Sequence, residues 1–443
     1  MAVYSEMQMN VFNSQPITIA ENVKYETVIE VETRSMNLSG MEISVGTKRV
    51  YPRSTLAAQI IGYIGAIPSQ STWQTYKAKG YSYNDKIGRD GIESSMEDWL
   101  TQNSSLKKGS RVVERDSQSQ IVRELSYTEP QDGNNVVLTI DATIQNMVEK
   151  ALKETIEEFN VTEGGAIVVM QPDTGDVLAM ASYPDFNLND PYAAPEGYDA
   201  DTWIGNTNES VKILSETVWR NKALTDTYEP GSTFKSITTA IGIEEGLVNK
   251  DTMVSDAPLD LSGWKIRCWR KSNDHGTETF ADAVKNSCNP VFAKLSLQIG
   301  MEKFYQYIES FGFRSKTGIL LSGEANSIFH TNPTEIDMAV TAFGQRVQIT
   351  PIQLATAYCA IANGGKLVQP RIVKEITDSN NIVVKSYDTT VVRQVISEST
   401  SKEVLELLEQ VVASGTGSNA YVSGYRVAGK TGTSRPLHPR HAP

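Results

Sequence analysis

The sequence predicts an α+β fold in which helices lie on both faces of a largely antiparallel sheet, preceded by a β-rich region. Residues 142–159 carry apolar side chains at helical spacing. Two apolar runs then flank Asp173-Thr174-Gly175-Asp176, a turn sequence typical of a β-hairpin. A long loop region and further helical segments follow. Because helices and strands come in blocks and do not alternate strictly, the pattern favours the α+β class.

Two domains are expected, since 443 residues exceed the length of one ordinary domain. The first, residues 1–130, mixes polar turns with short alternating segments that predict strands and a few helices. Two such segments read "KYETVIEVETRS" and "SRVVERDSQSQIVREL". The stretch "YTEPQDGNN" at residues 127–135 is rich in turn formers and marks a linker. The second domain is therefore residues 131–443.

Composition indicates a soluble globular protein and argues against nucleic-acid binding. Hydrophobic residues make up 40% of the chain and charged residues 21%, and the formal net charge is −12. Nucleic acid requires a concentrated basic surface, which this acidic chain does not suggest. The apolar stretch at residues 56–68 is too short and too glycine-rich to span a bilayer, so we expect it in the core. Three cysteines are too few for a disulfide framework.

Two segments of the second domain bear on its chemistry. Residues 230–246, "PGSTFKSITTAIGIEEG", begin with helix-initiating residues and are mostly apolar, which predicts a buried central helix. Near the end, "YRVAGKTGTS" predicts a strand. The following "RPLHPRHAP" cannot continue a sheet because of its prolines. We therefore expect a C-terminally incomplete domain or a tail that is not native sequence.

Ser232 and Lys235 form a Ser-x-x-Lys pair in the first turn of the predicted central helix. Side chains three residues apart lie on the same helix face, about 5–6 Å from each other. A serine hydroxyl is a weak nucleophile until a base removes its proton. A lysine can act as that base only when neutral, and burial beside another cation lowers its pKa. A second lysine or a polar cluster is therefore expected near this pair.

Two further motifs follow in order. Ser287 and Asn289 come directly after a predicted helix that opens with Thr279 and Asp282, a capping-box pattern. Their hydroxyl and carboxamide can relay a proton and hold a substrate amide. Lys430-Thr431-Gly432-Thr433 lies on the late predicted strand, where glycine permits close approach of a substrate backbone. The lysine and hydroxyl can bind a carboxylate.

Each motif alone is weak, because the chain repeats all three. Ser-x-x-Lys recurs at Ser105 and Ser399, Ser-x-Asn at Ser82 and Ser379, and Lys-Thr-Gly at Lys316. The ordered set is specific: Ser-x-x-Lys, Ser-x-Asn 55 residues later, then Lys-Thr-Gly-Thr after a further 143. This set is characteristic of penicillin-binding proteins and class A β-lactamases.

The chain resembles the class B penicillin-binding proteins, the monofunctional D,D-transpeptidases of bacterial cell-wall synthesis. The resemblance rests on "RVYPRSTLAAQIIGYIG" and "DKIGRDGIESSMEDWL" in the first domain, and on "LTIDATIQ", "SYPDFN", "YEPGSTFK", "NSCNPVF", "TPIQLATAYCAIANGG" and "VAGKTGTS" in the second. It is closest to the elongation-type penicillin-binding protein 2 branch. It implies a partial pedestal domain of the dimerisation type followed by a transpeptidase domain, with both termini truncated.

The resemblance also implies a reaction and partners. Ser232 would attack the penultimate D-alanine carbonyl of a peptidoglycan stem peptide, with Lys235 as base and Ser287 and Asn289 relaying protons. An amine of a neighbouring strand would resolve the acyl-enzyme, and β-lactams would acylate the same serine. Lys430 and Thr433 would bind the terminal carboxylate, and the N–H groups of Ser232 and Thr433 would form an oxyanion hole. No cofactor is required. A membrane anchor, a membrane glycosyltransferase partner and a location on the extracytoplasmic face are implied for the full-length protein.

A structural zinc ion is a further expectation. Cys268, Asp274, His275 and Cys288 form a zinc-like ligand set whose spacing matches no standard finger. Some members of the family that the chain resembles are reported to carry zinc here. Two alternatives remain open: the side chains pack and bond locally, or Cys268 and Cys288 form a disulfide.

Two other functions share these motifs. A serine β-lactamase or β-lactam sensor would need a group that activates a deacylating water, and no Glu-x-x-Leu-Asn segment lies between Asn289 and Lys430. A non-catalytic wall-assembly scaffold would not need the intact set of motif residues. Turnover of penicillin and formation of a serine adduct would separate the three functions.

Overall fold

The computed structural model describes residues 23–35, 48–81, 85–101, 109–116, 121–129, 131–270 and 275–434. The chain divides into two compact units. The first comprises Met1–Pro52, Ile64–Ile87 and Glu97–Asn134, and the second Arg53–Tyr63, Gly88–Met96 and Asn135–Pro443. Two short stretches that precede residue 130, Arg53–Tyr63 and Gly88–Met96, thus group with the second unit.

Helices and strands are short and mixed in the N-terminal part of the chain. In order they are helix α1 (Tyr25–Ser35), helix α2 (Ala58–Ile61), strand β1 (Ile64–Ala66), helix α3 (Gln70–Lys77), strand β2 (Lys86–Gly88), helix α4 (Gly91–Ser95), helix α5 (Glu97–Leu100), strand β3 (Ser110–Arg115) and strand β4 (Ile121–Thr128).

In the first unit, one predicted pair of strands is confirmed and another segment was assigned wrongly. β3 and β4 pair antiparallel, with Ser110 opposite Thr128. The segment "KYETVIEVETRS", which we predicted as extended, forms α1 instead. Val28 and Val31 fit helical spacing, just as Ile29 and Val31 fit strand alternation, so a short run does not distinguish the two. A helix also satisfies its backbone hydrogen bonds without a partner strand.

From residue 135 onward several long helices join the short elements. They are strand β5 (Asn135–Leu138), helix α6 (Ala142–Phe159), strands β6 (Gly165–Met170) and β7 (Val177–Tyr183), helices α7 (Asn208–Glu216) and α8 (Lys222–Thr225), a 3-10 turn (Gly231–Phe234), helix α9 (Lys235–Glu244), strands β8 (Met253–Ser255), β9 (Leu259–Leu261), β10 (Trp264–Ile266) and β11 (Thr277–Thr279), helices α10 (Phe280–Asn286), α11 (Asn289–Ile299), α12 (Met301–Ser310), α13 (Glu335–Thr341) and α14 (Pro351–Ala362), strands β12 (Lys366–Val368), β13 (Val373–Thr377), β14 (Val383–Ser386) and β15 (Val391–Gln394), helix α15 (Glu398–Ser414) and a second 3-10 turn (Ser418–Ala420).

The strand pairs of the second unit are antiparallel, as predicted. β6 and β7 form the expected hairpin across the Asp173–Asp176 turn, with Gly165 opposite Tyr183. β5, β13 and β14 form a three-stranded antiparallel sheet in which β13 is central. The predicted α+β class is confirmed.

Helix α9 lies in the core of the second unit. Phe234, Ile237 and Ile241 have no exposed surface. Helices α11 and α15 both pack against α9. Burial of each such side chain stabilises the fold by roughly 1.5–3 kcal/mol. The prediction of a buried central helix is confirmed, although the segment opens with the 3-10 turn and its α-helix ends at Glu244.

Two other expectations concern extended and apolar segments. The predicted strand over "YRVAGKTGTS" is wrong, because residues 425–434 have no ladder partner within the described part of the chain. A strand is defined by such pairing and not by its own sequence alone. The apolar stretch that we placed in the core is confirmed, since Ala58 and Ile60 are buried. Across the described ranges, no helix combines the length and apolar character needed to cross a bilayer.

Candidate active site

Ser232 lies in the 3-10 turn that leads into α9, and Lys235 is the first residue of the helix. Pro230 precedes the turn with φ −67°, a value already compatible with helical backbone. Lys235 is only 1% exposed, whereas Ser232 is half-buried. The Ser232 hydroxyl has no hydrogen-bond partner among the described residues, so it is free to meet a ligand.

The second motif surrounds the Lys235 amine. Lys235 Nζ lies 2.7 Å from the Ser287 carbonyl oxygen, 3.0 Å from Ser287 Oγ and 2.6 Å from Asn289 Oδ1. Ser287 follows α10 in the left-handed region, with φ 57° and ψ 47°, and Asn289 opens α11. The tight turn between these two helices therefore points a hydroxyl, a carbonyl and a carboxamide at one amine.

Lys430 brings the third motif to the same point. Its Nζ lies 2.9 Å from Ser287 Oγ, so this one hydroxyl contacts both lysine amines. A serine hydroxyl has one proton to donate and two lone pairs that accept. The Ser287 hydroxyl can therefore accept a hydrogen bond from a charged lysine and at the same time donate one to the lone pair of a neutral lysine. The structure thus joins residues that are 195 positions apart in the sequence.

The electrostatics of this cluster favour a neutral Lys235. Burial holds the pKa of Lys235 well below its ordinary value, and the charge of Lys430 lowers it further. Burial also lowers the pKa of Lys430, to about 8. A low-dielectric site disfavours each ammonium, and two adjacent cations disfavour each other. These are the conditions under which a lysine acts as a base near neutral pH.

The backbone of the third motif lies against the nucleophile turn. A Cβ built on Gly231, whose φ is +55°, would stand 2.7 Å from the Thr433 carbonyl oxygen and 3.1 Å from its backbone nitrogen. A Cβ on Gly432 would stand 2.7 Å from the Pro230 carbonyl oxygen. Both distances are shorter than a side chain tolerates, so glycine is needed at both positions. The close approach places the backbone of Thr433 beside that of Gly231, the residue before Ser232. Thr431 and Thr433 are exposed.

The Glu229 carboxylate binds this segment through a hydrogen bond, a role that was not predicted from the sequence. Its Oε2 accepts a hydrogen bond from Ser434 Oγ at 2.6 Å, and its Oε1 accepts one from the Arg346 backbone N–H at 2.8 Å. This carboxylate, two residues before the nucleophile turn, therefore links Ser434, which follows the third motif, to the loop after α13. The only signal in the sequence was its place in "YEPGS", next to the motif.

Tyr358 supports the turn from the opposite side and was also missed. Its hydroxyl, presented by α14, donates to the Thr233 carbonyl oxygen at 2.8 Å and lies 2.9 Å from Ser236 Oγ. Burial raises the pKa of Tyr358, so the hydroxyl keeps its proton and remains a donor. Nothing in the local sequence around Tyr358 links it to a turn 125 residues earlier.

Three of the four proposed metal ligands, Cys268, His275 and Cys288, lie in the described part of the chain. Burial, together with the neighbouring Cys268 thiol, raises the pKa of Cys288 to about 12. His275 Nδ1 instead lies 4.0 Å from Glu278 Oε2. Within the described ranges, no three His, Cys, Asp or Glu side chains are grouped as metal ligands, and Asp274 lies outside those ranges. The described donors do not fit a tetrahedral zinc ion, and zinc binding stays a prediction. The cysteines are free thiols in this structure.

Comparison with known families agrees with the fold and the cluster. The penicillin binding protein transpeptidase domain matches residues 165–442, and the penicillin-binding protein dimerisation domain matches residues 2–138. The first match covers more than half of the chain. The chain therefore belongs to the penicillin-binding protein transpeptidases.

Individual relatives extend over most of this chain. Stage V sporulation protein D of Bacillus subtilis is 36% identical over 413 residues, which cover 91% of this chain and 57% of the relative. Peptidoglycan D,D-transpeptidase FtsI of Escherichia coli is 26% identical over 410 residues, covering 92% and 60%. The chain thus spans less than two thirds of the length of these relatives.

Solved structures show the same fold. Penicillin binding protein 3 of Mycobacterium tuberculosis in its apo form superposes with a TM-score of 0.68 and 25% identity, over 89% of this chain and 77% of that one. The D,D-transpeptidase domain of a peptidoglycan glycosyltransferase from Eggerthella lenta gives a TM-score of 0.65 and 27% identity, over 88% and 81%.

Proposed function

We propose that the chain is a peptidoglycan D,D-transpeptidase that works through an acyl-enzyme on Ser232. One observation supports this most strongly: Ser287 Oγ contacts both Lys235 Nζ and Lys430 Nζ next to the nucleophile turn. A structural role alone would not require a buried lysine and a half-buried one to share one hydroxyl, since like charges repel and burial disfavours each ammonium.

Acylation begins with proton transfer from the Ser232 hydroxyl to the neutral Lys235 amine. Ser232 Oγ then forms a bond to the carbonyl carbon of the penultimate D-alanine, and the carbonyl electron pair moves onto its oxygen. The N–H groups of Ser232 and Thr433 stabilise this oxyanion. When the tetrahedral intermediate collapses, the peptide bond breaks. The leaving D-alanine amine takes a proton from the Ser287 hydroxyl, and the Lys235 ammonium gives Ser287 a new proton. The products are free D-alanine and an ester on Ser232.

Substrate is held by the remaining motif residues. The charge of Lys430 and the Thr433 hydroxyl bind the terminal carboxylate, and the Thr431–Gly432 backbone allows the stem peptide to lie alongside. Asn289 holds a substrate amide as well as the Lys235 amine. An amine from a second stem peptide then forms an amide bond with the ester carbonyl carbon. The bond to Ser232 Oγ breaks, and Lys235 carries the proton lost by the amine to that oxygen, which restores the Ser232 hydroxyl. Nucleophile, base and oxyanion donors are all groups of this chain, so the proposed reaction requires no cofactor.

The finer assignments are also proposals. We infer an elongation-type role like that of penicillin-binding protein 2, a membrane glycosyltransferase partner, and a full-length protein anchored on the extracytoplasmic face of the membrane. The sequence motifs of the two domains support this placement. The identities of 36% to the Stage V sporulation protein and 26–27% to transpeptidases named FtsI and MrdA do not favour that branch over others. Complementation of strains that lack each type of transpeptidase would test it.

An exchange assay tests the proposed reaction. The chain is incubated with a thioester donor that mimics acyl-D-alanyl-D-alanine, in the presence of a D-amino acid as the acceptor amine. We expect the acyl-D-amino acid product, detected by mass spectrometry, and its loss in Ser232→Ala. A β-lactamase or a related hydrolase would give only the free acid, and a scaffold would give neither product. Either result would overturn the transpeptidase assignment.

A further inference from the structure

A cavity of about 280 Å³ lies within the second unit, and its lining includes no residue of the Ser232 site. At roughly 30 Å³ per water molecule, this volume corresponds to about nine waters. That is enough room for a ligand of dipeptide size. Its walls come from the two short N-terminal stretches of the unit, from α7 and α8, and from the loop around residue 322.

Part of the cavity lining, called here the aromatic floor, is apolar and consists of Tyr63, Trp219 and Leu224. These three residues are almost fully buried. The rings of Tyr63 and Trp219 lie 4.7 Å apart, and Tyr192 packs edge-on against both. Aromatic clusters of this kind provide a fixed surface for the apolar part of a ligand.

Two of the lining residues, Arg89 and Arg220, carry guanidinium groups that supply positive charge. Arg220 hydrogen-bonds through Nε to Asp226 and to Thr225 Oγ1. Its two Nη groups have no acceptor among the described residues, and a guanidinium has five N–H donors in a planar fork. Arg89 also lines the cavity. A carboxylate is the group that such a fork binds best.

Two of the lining residues, Asp90 and Asn221, each have a side-chain oxygen that accepts no hydrogen bond from the described residues. Asp90 Oδ1 accepts from the Gly91 N–H at 2.8 Å and from Ser322 Oγ at 3.4 Å, whereas Oδ2 meets no donor in the described part of the chain. Asn221 is only 7% exposed, and its Oδ1 has no hydrogen-bond partner. A buried acceptor without a donor is costly. A ligand ammonium would supply donors to both residues.

We propose that this cavity binds a small ligand that carries both an ammonium and a carboxylate, which is an amino acid or a short peptide. The carboxylate binds the Nη groups of Arg220, with Arg89 adding positive charge. The ammonium binds Asp90 and Asn221 Oδ1, and the apolar part packs on the aromatic floor. This site is separate from the proposed transpeptidase reaction and does not depend on it.

Ligands with one charge removed test the proposal without altering the protein. Isothermal titration calorimetry would compare L-alanyl-L-alanine with its N-acetyl form, which lacks the ammonium, and with its C-terminal amide, which lacks the carboxylate. We expect the dipeptide to bind at least about tenfold more tightly than either, since each control loses charged hydrogen bonds. Alanine alone, titrated in parallel, distinguishes a free amino acid from a peptide as the ligand.

Two substitutions locate the site. Asp90→Asn should abolish the preference for the dipeptide over its N-acetyl form, and Arg220→Gln should abolish the preference over its amide. Asp260→Asn and Arg426→Gln are matched changes at exposed ion pairs and should leave both preferences intact. The proposal is overturned if the unaltered chain binds neither alanine nor the dipeptide, if it binds the dipeptide and its two derivatives equally, or if neither substitution changes the preferences.

Discussion

Two helices of the second unit begin with the same Ser-x-x-Lys pattern, and only one belongs to a reactive cluster. At the start of α9, Lys235 is 1% exposed and its amine is enclosed by the second motif. At the start of α15, Ser399 and Lys402 are both exposed, and Ser399 Oγ bonds to Ser397 Oγ at 3.0 Å. The pattern alone therefore gives no chemistry. A buried amine with a second cation nearby turns the same spacing into a nucleophile and its base.

The two Lys-Thr-Gly copies also differ in their surroundings and not in their sequence pattern. Lys430 reaches Ser287 Oγ at 2.9 Å. Lys316 is exposed, and the backbone N–H of Thr317 donates to Glu324 Oε1 at 2.6 Å within its own loop. Each pair of copies thus offers a matched control, in which the same substitution is made once in the cluster and once outside it.

The largest effect is expected from Lys235→Arg. Arginine keeps the positive charge but cannot lose its proton, so the Ser232 hydroxyl loses its base. General-base catalysis contributes about 10²–10⁴-fold, and we expect acylation by benzylpenicillin to slow by about 10³-fold. Stopped-flow measurement of the acylation rate constant checks this. Lys402→Arg should leave the rate unchanged, and equal effects of the two changes would contradict the assigned base.

Lys430→Met should slow acylation by about 10²-fold and change its pH dependence. Charged hydrogen bonds contribute about 1.5–3 kcal/mol each, and Lys430 is proposed to bind the substrate carboxylate. Its positive charge also lowers the pKa of Lys235. Because acylation needs neutral Lys235, the rate rises with pH through that pKa. Loss of Lys430 raises the pKa, so the rising limb should move to higher pH.

The pH profile of acylation, measured for both proteins, checks that direction. A limb that stays in place or moves to lower pH would argue against coupling between the two lysines. Lys316→Met, in the other Lys-Thr-Gly copy, should alter neither the rate nor the profile.

Glu229→Ala should slow acylation by about tenfold, because the third motif loses its link to the nucleophile turn and small displacements of reacting groups are costly. Ser434→Ala removes the same hydrogen bond and should have a similar effect. The double variant should be little worse than either single one. Glu229→Gln, which keeps the shape and one acceptor, should recover most of the rate. Additive effects of the two alanine changes would show that this hydrogen bond does not position the motif.

The smallest effect on acylation is expected at α15. Ser397 caps this helix, and its Oγ accepts from the Thr400 N–H at 3.2 Å. Ser397→Ala should cost about 1 kcal/mol of unfolding free energy. The acylation rate should not change, since the helix start carries no part of the site. Denaturant unfolding and acylation, measured on the same sample, would separate the two properties.

Local patterns predicted much of the fold. The hairpin at β6 and β7, helix α6 and the buried helix α9 each depend on periodicity and turn residues within a short stretch of sequence. The segment at residues 25–35 was assigned wrongly because its apolar spacing fits a helix and a strand alike. The segment that contains Lys430 was also assigned wrongly, because a strand needs a partner that sequence does not reveal.

The motif residues of the site could be named from the sequence, whereas the residues that hydrogen-bond to the nucleophile turn and the segment of the third motif could not. Ser232, Lys235 and Lys430 belong to short motifs with a recognisable order. Glu229 and Tyr358 act through hydrogen bonds to residues 205 and 125 positions away, and such contacts leave no local trace. The grouping of residues 53–63 and 88–96 with the second unit is likewise a long-range property.

The intact mass of the chain after incubation with benzylpenicillin tests the central claim most directly, with Ser232→Ala and Ser399→Ala measured alongside. The two serines share a sequence pattern and differ only in their surroundings. We predict a stable penicilloyl adduct on the unaltered chain and on Ser399→Ala, and none on Ser232→Ala. An adduct that persists in Ser232→Ala, or its absence from all three proteins, would contradict the assignment of Ser232 as an activated nucleophile in this chain.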